Sequence, residues 1–265
     1  MTEQLYEKIE TDTALGALES LSGRLPEPFL LMGGWAVYMT VNRSYQQEHG
    51  LTYLGSRDID VGFHIEPKWD EEDLRKCSFH KAIEILGREG YERSGSFRFC
   101  KYLNRDDGRV LTSEEQKFLP PYQVLNLYVD MMVDNIHPLH KAVFKVDPMD
   151  EGIIGMVSAD GSAEPHRVGQ ADVMIPPPHH LLASKLGSIP HRQHDDKIIK
   201  DACDIYAIIW HSRPGFREIV AEARKLYPDR FRQARSVITP PIARRAATHL
   251  GVDEKTYRDV IDLLR

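Results

Sequence analysis

Cysteine is scarce in this sequence: three residues in 265, Cys77, Cys100 and Cys203, far apart and at no paired spacing. That excludes a disulfide framework and a cysteine-built zinc site. Long apolar runs are missing too. The longest, such as "FLLM" and "AIIW", fall far short of a membrane span, so no membrane partner is expected. The N-terminal "MTEQLYEKIETDT" is acidic and polar, unlike a signal peptide, and the expected location is the cytoplasm. Net positive charge is also lacking. The formal charge of -6 supplies no global attraction to nucleic acid, so any such contact would need a local basic patch. Internal repeats and low-complexity segments are absent. What remains, 42% hydrophobic and 28% charged residues, is the mix of a globular protein.

Residues 5–24 have the apolar spacing of a helix, stopped by Pro26 and Pro28. "PFLLMGG" reads as a short buried strand ending in a glycine turn, with a helix opening directly after Gly33 and Gly34. Residues 45–56 read as a polar loop, "RDIDVGFHI" as a strand and 70–89 as one helix with Leu74, Ile83 and Leu86 inward. Short β segments follow, among them "YERSGSFRFCKYL", "YQVLNLYVDMMVD" and pieces near 142–147 and 152–158. The run Pro176-Pro177-Pro178 marks a boundary, because it suits neither helix interior nor central strand. The expected architecture is α+β: residues 1–175 as an α/β core domain, then 176–265 as a C-terminal helical domain.

Three places carry chemistry. The Gly33-Gly34 turn offers free backbone N–H groups at a helix start, which can cradle phosphate, although glycine pairs at such turns are more often only turns. In "LGSRDIDVGF", Ile59, Val61 and Phe63 share one strand face and Asp58 and Asp60 the other. Two carboxylates so placed repel unless a cation lies between them; a solvated strand face is the plainer alternative. In "VLNLYVDMMVD", Asp130 lies on the polar stripe of a half-buried strand, where aspartate is depleted; Asp134 reads as a turn residue.

In order, these elements resemble the polymerase-beta-like nucleotidyltransferase superfamily, and "LMGGWAVY … GSRDIDVGF" is similar to its AbiEii-type branch. That branch carries a later lysine and a basic-Asp-x-x-Asp element, matched here by Lys185 and by Lys200, Asp201 and Asp204 in "KDACD". Ser56 also fits. Three features depart: a longer stretch between Gly34 and Asp58, Gly-Gly in place of Gly-Ser, and Leu54 where a basic residue is frequent, with Arg57 nearby.

The resemblance implies a nucleotidyltransferase-type mixed sheet flanked by helices. It implies transfer of NMP from an NTP to a hydroxyl of tRNA or another RNA, a protein or a small molecule. Two Mg²⁺ ions (Mn²⁺ as a substitute) would be held by Asp58, Asp60 and Asp130, the catalytic set. Gly33, Gly34, Ser56, Lys185, Lys200 and Asp201 would border the nucleotide, and a cognate antitoxin is a possible partner. The alternatives are a catalytically silent nucleotide-binding or protein-interaction module, and a transferase resembling antibiotic nucleotidyltransferases.

Other signals are weaker. On the helix from about Asp195 to His211, Lys197, Lys200, Asp201 and Asp204 also read as an ordinary solvated face with ion pairs. "HPLH" and "HRQHDD" read as solvated loop histidines rather than zinc sites, for want of further ligands. The arginine-rich tail, Arg217 to Arg245, reads more readily as solvated helix faces than as an RNA surface.

Overall fold

The computed structural model describes residues 5–264. In chain order it forms α1 (Lys8–Ser22), β1 (Leu30–Met32), α2 (Gly33–His49), β2 (Asp58–Phe63), α3 (Glu71–Lys76), α4 (Ser78–Arg88), β3 (Glu92–Arg93), β4 (Arg98–Asn104) and β5 (Val110–Leu111). There follow α5 (Glu115–Phe118), β6 (Val124–Val133), α6 (His140–Phe144), β7 (Met149–Asp150), α7 (Ile153–Asp160), β8 (Glu164–Val168) and β9 (Ala171–Ile175). The rest is helical: α8 (Pro178–Ser188), α9 (Asp195–His211), α10 (Phe216–Leu226), α11 (Pro228–Arg235), α12 (Pro240–Leu250) and α13 (Glu254–Ile261). The class is α+β, a mixed sheet with helices and a helical C-terminal region.

Two compact units emerge. One comprises Lys8–Met32 and Ser56–Ile175, and the other contains Gly33–Gly55 and Pro176–Arg265. The first unit holds the sheet, in the order β3-β4-β6-β2-β1-β9-β8, with β5 on β4 and β7 on β6. The pairs β2–β6 and β1–β9 run parallel, whereas β1–β2 and β4–β6 run antiparallel. One face of the central strands carries Leu31, Ile59, Val61, Phe63, Val129, Met131 and Val133, all essentially enclosed. Phe79 of α4 stands edge-on to Phe63 there, with centroids 5.6 Å apart. On the other face Gly62 leaves room for α7: a Cβ at that position would lie 2.7 Å from Ile154 Cδ1.

In the second unit α2, α8 and α12 pack on α9, whose residues Ile199 to Ile209 are all buried. The triple proline leads into α8, with Pro178 as its first residue, where a missing N–H costs nothing.

Four local expectations need correction. Helix α2 continues to His49, taking up the first part of the stretch expected to be loop. The helix expected over 70–89 is two, broken at Cys77, whose extended ψ of 163° ends α3 and caps α4. The pieces near 142–147 and 152–158 are not strands. They fall on α6 and α7, where buried Ile153, Ile154 and Val157 follow helical spacing and β-branched content misleads. In "HPLH", His137 and His140 are buried, His140 against the rings of Phe79 and Phe144, whereas His191 and His194 are exposed.

Candidate active site

The acidic face of the sheet follows from strand alternation and register. On β2, Ile59, Val61 and Phe63 pack inward, which turns Asp58 and Asp60 to the opposite side. On β6 the same alternation buries Leu127, Val129 and Met131 and puts Tyr128 and Asp130 opposite. Register then joins the two sets: in the parallel β2–β6 pair, Asp60 faces Asp130 and Asp58 faces Tyr128. Asp58, Asp60 and Asp130 therefore share one face on adjacent strands. Met32, the last residue of β1, pairs with Asp60 from the other side. The next residue, Gly33, has φ +62°, a left-handed conformation that glycine adopts without strain. Gly34 is buried in the first turn of α2, and Ser56 is buried two residues before Asp58.

A cation does sit beside two of these carboxylates, Asp58 and Asp130, and it is a residue that sequence patterning missed. Arg98 on β4 is the antiparallel partner of Asp130. Its Nε and Nη2 donate to the two oxygens of Asp130, each at 2.6 Å, a bidentate fork. Nη2 also lies 3.6 Å from Asp58 Oδ2, and the guanidinium stacks 4.3 Å above the Tyr128 ring. The hydrogen bond to Asp130 raises the Arg98 pKa against the opposing effect of burial, so the group stays charged. Asp130 is only 4% exposed, and a buried carboxylate needs such a partner. The four groups still carry a formal excess of two negative charges, which suits a divalent cation. Alternation in "SFRFCKYL" hinted at a strand, but nothing local says that Arg98 lands opposite Asp130.

Asp134, just past β6, has a structural role. Its Oδ1 accepts from the Ile65 N–H at 2.8 Å and its Oδ2 meets His64 Nδ1, clipping the ends of β2 and β6 together.

The remaining predicted residues belong to the helical unit. Lys185 Nζ lies 2.9 Å from Asp201 Oδ1 and 2.8 Å from Asp204 Oδ2, the latter an ion-pair approach with poor hydrogen-bond alignment. Asp201 Oδ2 also accepts from Arg192 Nε at 2.6 Å and Ser188 Oγ at 3.0 Å. Asp204 Oδ1 accepts from Lys200 Nζ at 2.5 Å and from the Tyr53 hydroxyl at 2.7 Å. Lys185 is buried on α8, and Lys200, Asp201 and Asp204 are buried on α9, so the solvated-face reading of α9 is wrong for those three. Helical spacing was legible, but the burial of a charged stripe by α8 was not. Burial alone would neutralise Lys185 and Asp201. Their mutual attraction, with Asp204 acting on Lys185 and Arg192 on Asp201, more than offsets this and keeps both charged.

Neither a search of protein-family models nor one of curated proteins finds a match. Among solved structures, the chain is similar to an antigenic nucleotidyltransferase-like protein from Paracoccidioides brasiliensis, at 14% identity and a TM-score of 0.44. The match covers 86% of this chain and 94% of that one. A likeness at that level carries no weight for the activity. Among the described residues no helix is long and apolar enough to cross a membrane.

Proposed function

We propose that the acidic face of the sheet is the metal and nucleotide site of a nucleotidyltransferase, moving NMP from an NTP to an acceptor hydroxyl. The observation that carries this reading is the in-register pairing of Asp60 with Asp130 beside Asp58 on parallel strands. The donor set fits the ion: carboxylate oxygens alone, with a surplus of negative charge, suit Mg²⁺ or Mn²⁺ rather than a softer metal. Asp58 and Asp60 would hold two divalent ions and Asp130 would complete one of them. Bound there, such ions neutralise the triphosphate and lower the barrier to in-line displacement. Arg98 supplies a fixed positive charge on the same face. On releasing Asp130, its fork of donors would turn to a phosphate oxygen, and Asp130 would take the acceptor hydroxyl's proton.

A second reading draws on one specific observation, the bidentate Arg98–Asp130 pair. A guanidinium that permanently holds the third carboxylate would leave a silent nucleotide-binding module. The experiment is incubation with each labelled NTP and Mg²⁺ or Mn²⁺, with RNA, protein or no acceptor added, following label transfer and pyrophosphate release. Transfer that disappears in Asp58→Asn supports the enzyme. NTP binding without pyrophosphate supports the silent module. Neither binding nor transfer overturns both. The AbiEii-type assignment, with tRNA as acceptor and a cognate antitoxin as partner, predicts label on the RNA and growth arrest on expression. Label confined to protein or a small molecule counts against it.

A further inference from the structure

At the ends of α2 and α9, within the helical unit, three side chains meet that no motif singled out. Glu48, His49 and His211 each bring one donor atom, and these atoms all lie within 4.8 Å of one another. His211 Nδ1 is 3.8 Å from Glu48 Oε2, and His49 Nε2 is 4.0 Å from Glu48 Oε1. The His211 side chain is fully enclosed, and the Nε2 atoms of both His49 and His211 are buried with no hydrogen-bond partner. Buried imidazole nitrogens left unsatisfied cost free energy and call for an explanation.

Outer contacts already hold the three groups in place. Trp210 Nε1 donates to the Glu48 carboxylate at 3.2 and 3.3 Å. The Tyr45 ring packs against both imidazoles, and an ion on His211 Nδ1 would displace Ser44 Oγ, which lies 3.3 Å from that atom. Outer partners of this kind orient metal ligands. Moreover, His49 and His211 are the last residues of two 17-residue helices, whose C-terminal carbonyls favour a cation.

We propose that Glu48, His49 and His211 form a binding site for a zinc-class transition metal. Two imidazoles and a carboxylate select Zn²⁺ over Mg²⁺ and leave the fourth position to water. Bonds of about 2.0–2.1 Å put tetrahedral donors roughly 3.4 Å apart, so the 3.8 and 4.0 Å separations from the half-exposed Glu48 have to shorten by about half an ångström on binding.

The test is equilibrium dialysis of the chelator-stripped full chain against Zn²⁺, with visible absorption of the Co²⁺-loaded protein. One Zn²⁺ per chain is expected, with a four-coordinate Co²⁺ spectrum. Glu48→Gln and His49→Ala should each weaken binding more than about tenfold. Asp58→Asn should leave it unchanged. The two replaced ligands are the more exposed ones, so both variants are expected to fold, as circular dichroism verifies. Absence of saturable Zn²⁺ binding, binding that survives both replacements, or an octahedral Co²⁺ spectrum overturns the proposal.

Discussion

Replacing Asp204 by asparagine strikes the most deeply enclosed charge of the helical unit. Its carboxylate is 0% exposed and is reached by Lys200 Nζ, Lys185 Nζ and the Tyr53 hydroxyl. Asparagine keeps the oxygen facing Lys200 and Tyr53, but turns an NH₂ donor toward the Lys185 ammonium, so two donors oppose each other. The charge balance also shifts. Lys200 loses its carboxylate partner, and Lys185 keeps only Asp201 of its two. Removing one partner of a buried ion pair costs about 3–5 kcal/mol. At about 2–4 °C per kcal/mol for a protein of this size, the unfolding midpoint should fall by on the order of 10 °C. Thermal unfolding followed by circular dichroism measures it. A second variant, Lys200→Met with Asp204→Leu, removes the hydrogen-bonded pair and leaves Lys185 on Asp201, so it should recover much of the loss, since a buried pair replaced by apolar groups is often near neutral. A cost below about 1 kcal/mol for Asp204→Asn, or no recovery in the double variant, would refute the claim that these charges are held away from water.

Arg98→Gln removes the bidentate fork from Asp130 and should raise Mn²⁺ affinity several-fold if the guanidinium competes with the ion; unchanged affinity in a Mn²⁺ titration would show that it does not. Gly62→Ala should cost about 1–3 kcal/mol in urea unfolding, because its Cβ would press on Ile154 and Met32 in a packed layer. Acid should weaken the fold through His140 and His211. Burial pushes both down to about 4, so the stability they contribute is full above the unfolded value of about 6.5 and is lost as pH falls toward 4. His64 acts in the opposite sense. Although burial opposes its charging, Asp134 and Glu66 raise its pKa, so its contribution is full below about 6.5 and fades as pH rises through the folded value; His64→Gln should remove that component of a stability–pH profile.

Strand and helix faces were largely legible in the sequence, because side-chain alternation is a local property. Period two in "DIDVGF" and "LNLYVD" separates the aspartates from the core side, and the burial along β2 and β6 follows it. Helical spacing likewise marked the apolar stripe of α9, and the prolines marked the entry to α8. Element type failed where a short apolar run fits either period. "GIIGMVSAD" is rich in β-branched residues yet forms α7, which buries Ile153, Ile154 and Val157 at helical spacing and sets Ile154 beside Gly62.

What only the tertiary structure decided was pairing between distant segments. Register across β2, β6 and β4 puts Asp60, Asp130 and Arg98 in one row, and no local pattern encodes a register between strands so far apart in the chain. Packing of α8 on α9 turned a charged stripe that reads as solvated into an enclosed ion network. The meeting of α2 with α9 brought His211 to Glu48 and His49 in the same way. Alternation and helical period depend on neighbours along the chain and are written in the sequence. Burial, charge partners and ligand sets depend on which surfaces meet, and that is settled only when the whole core packs.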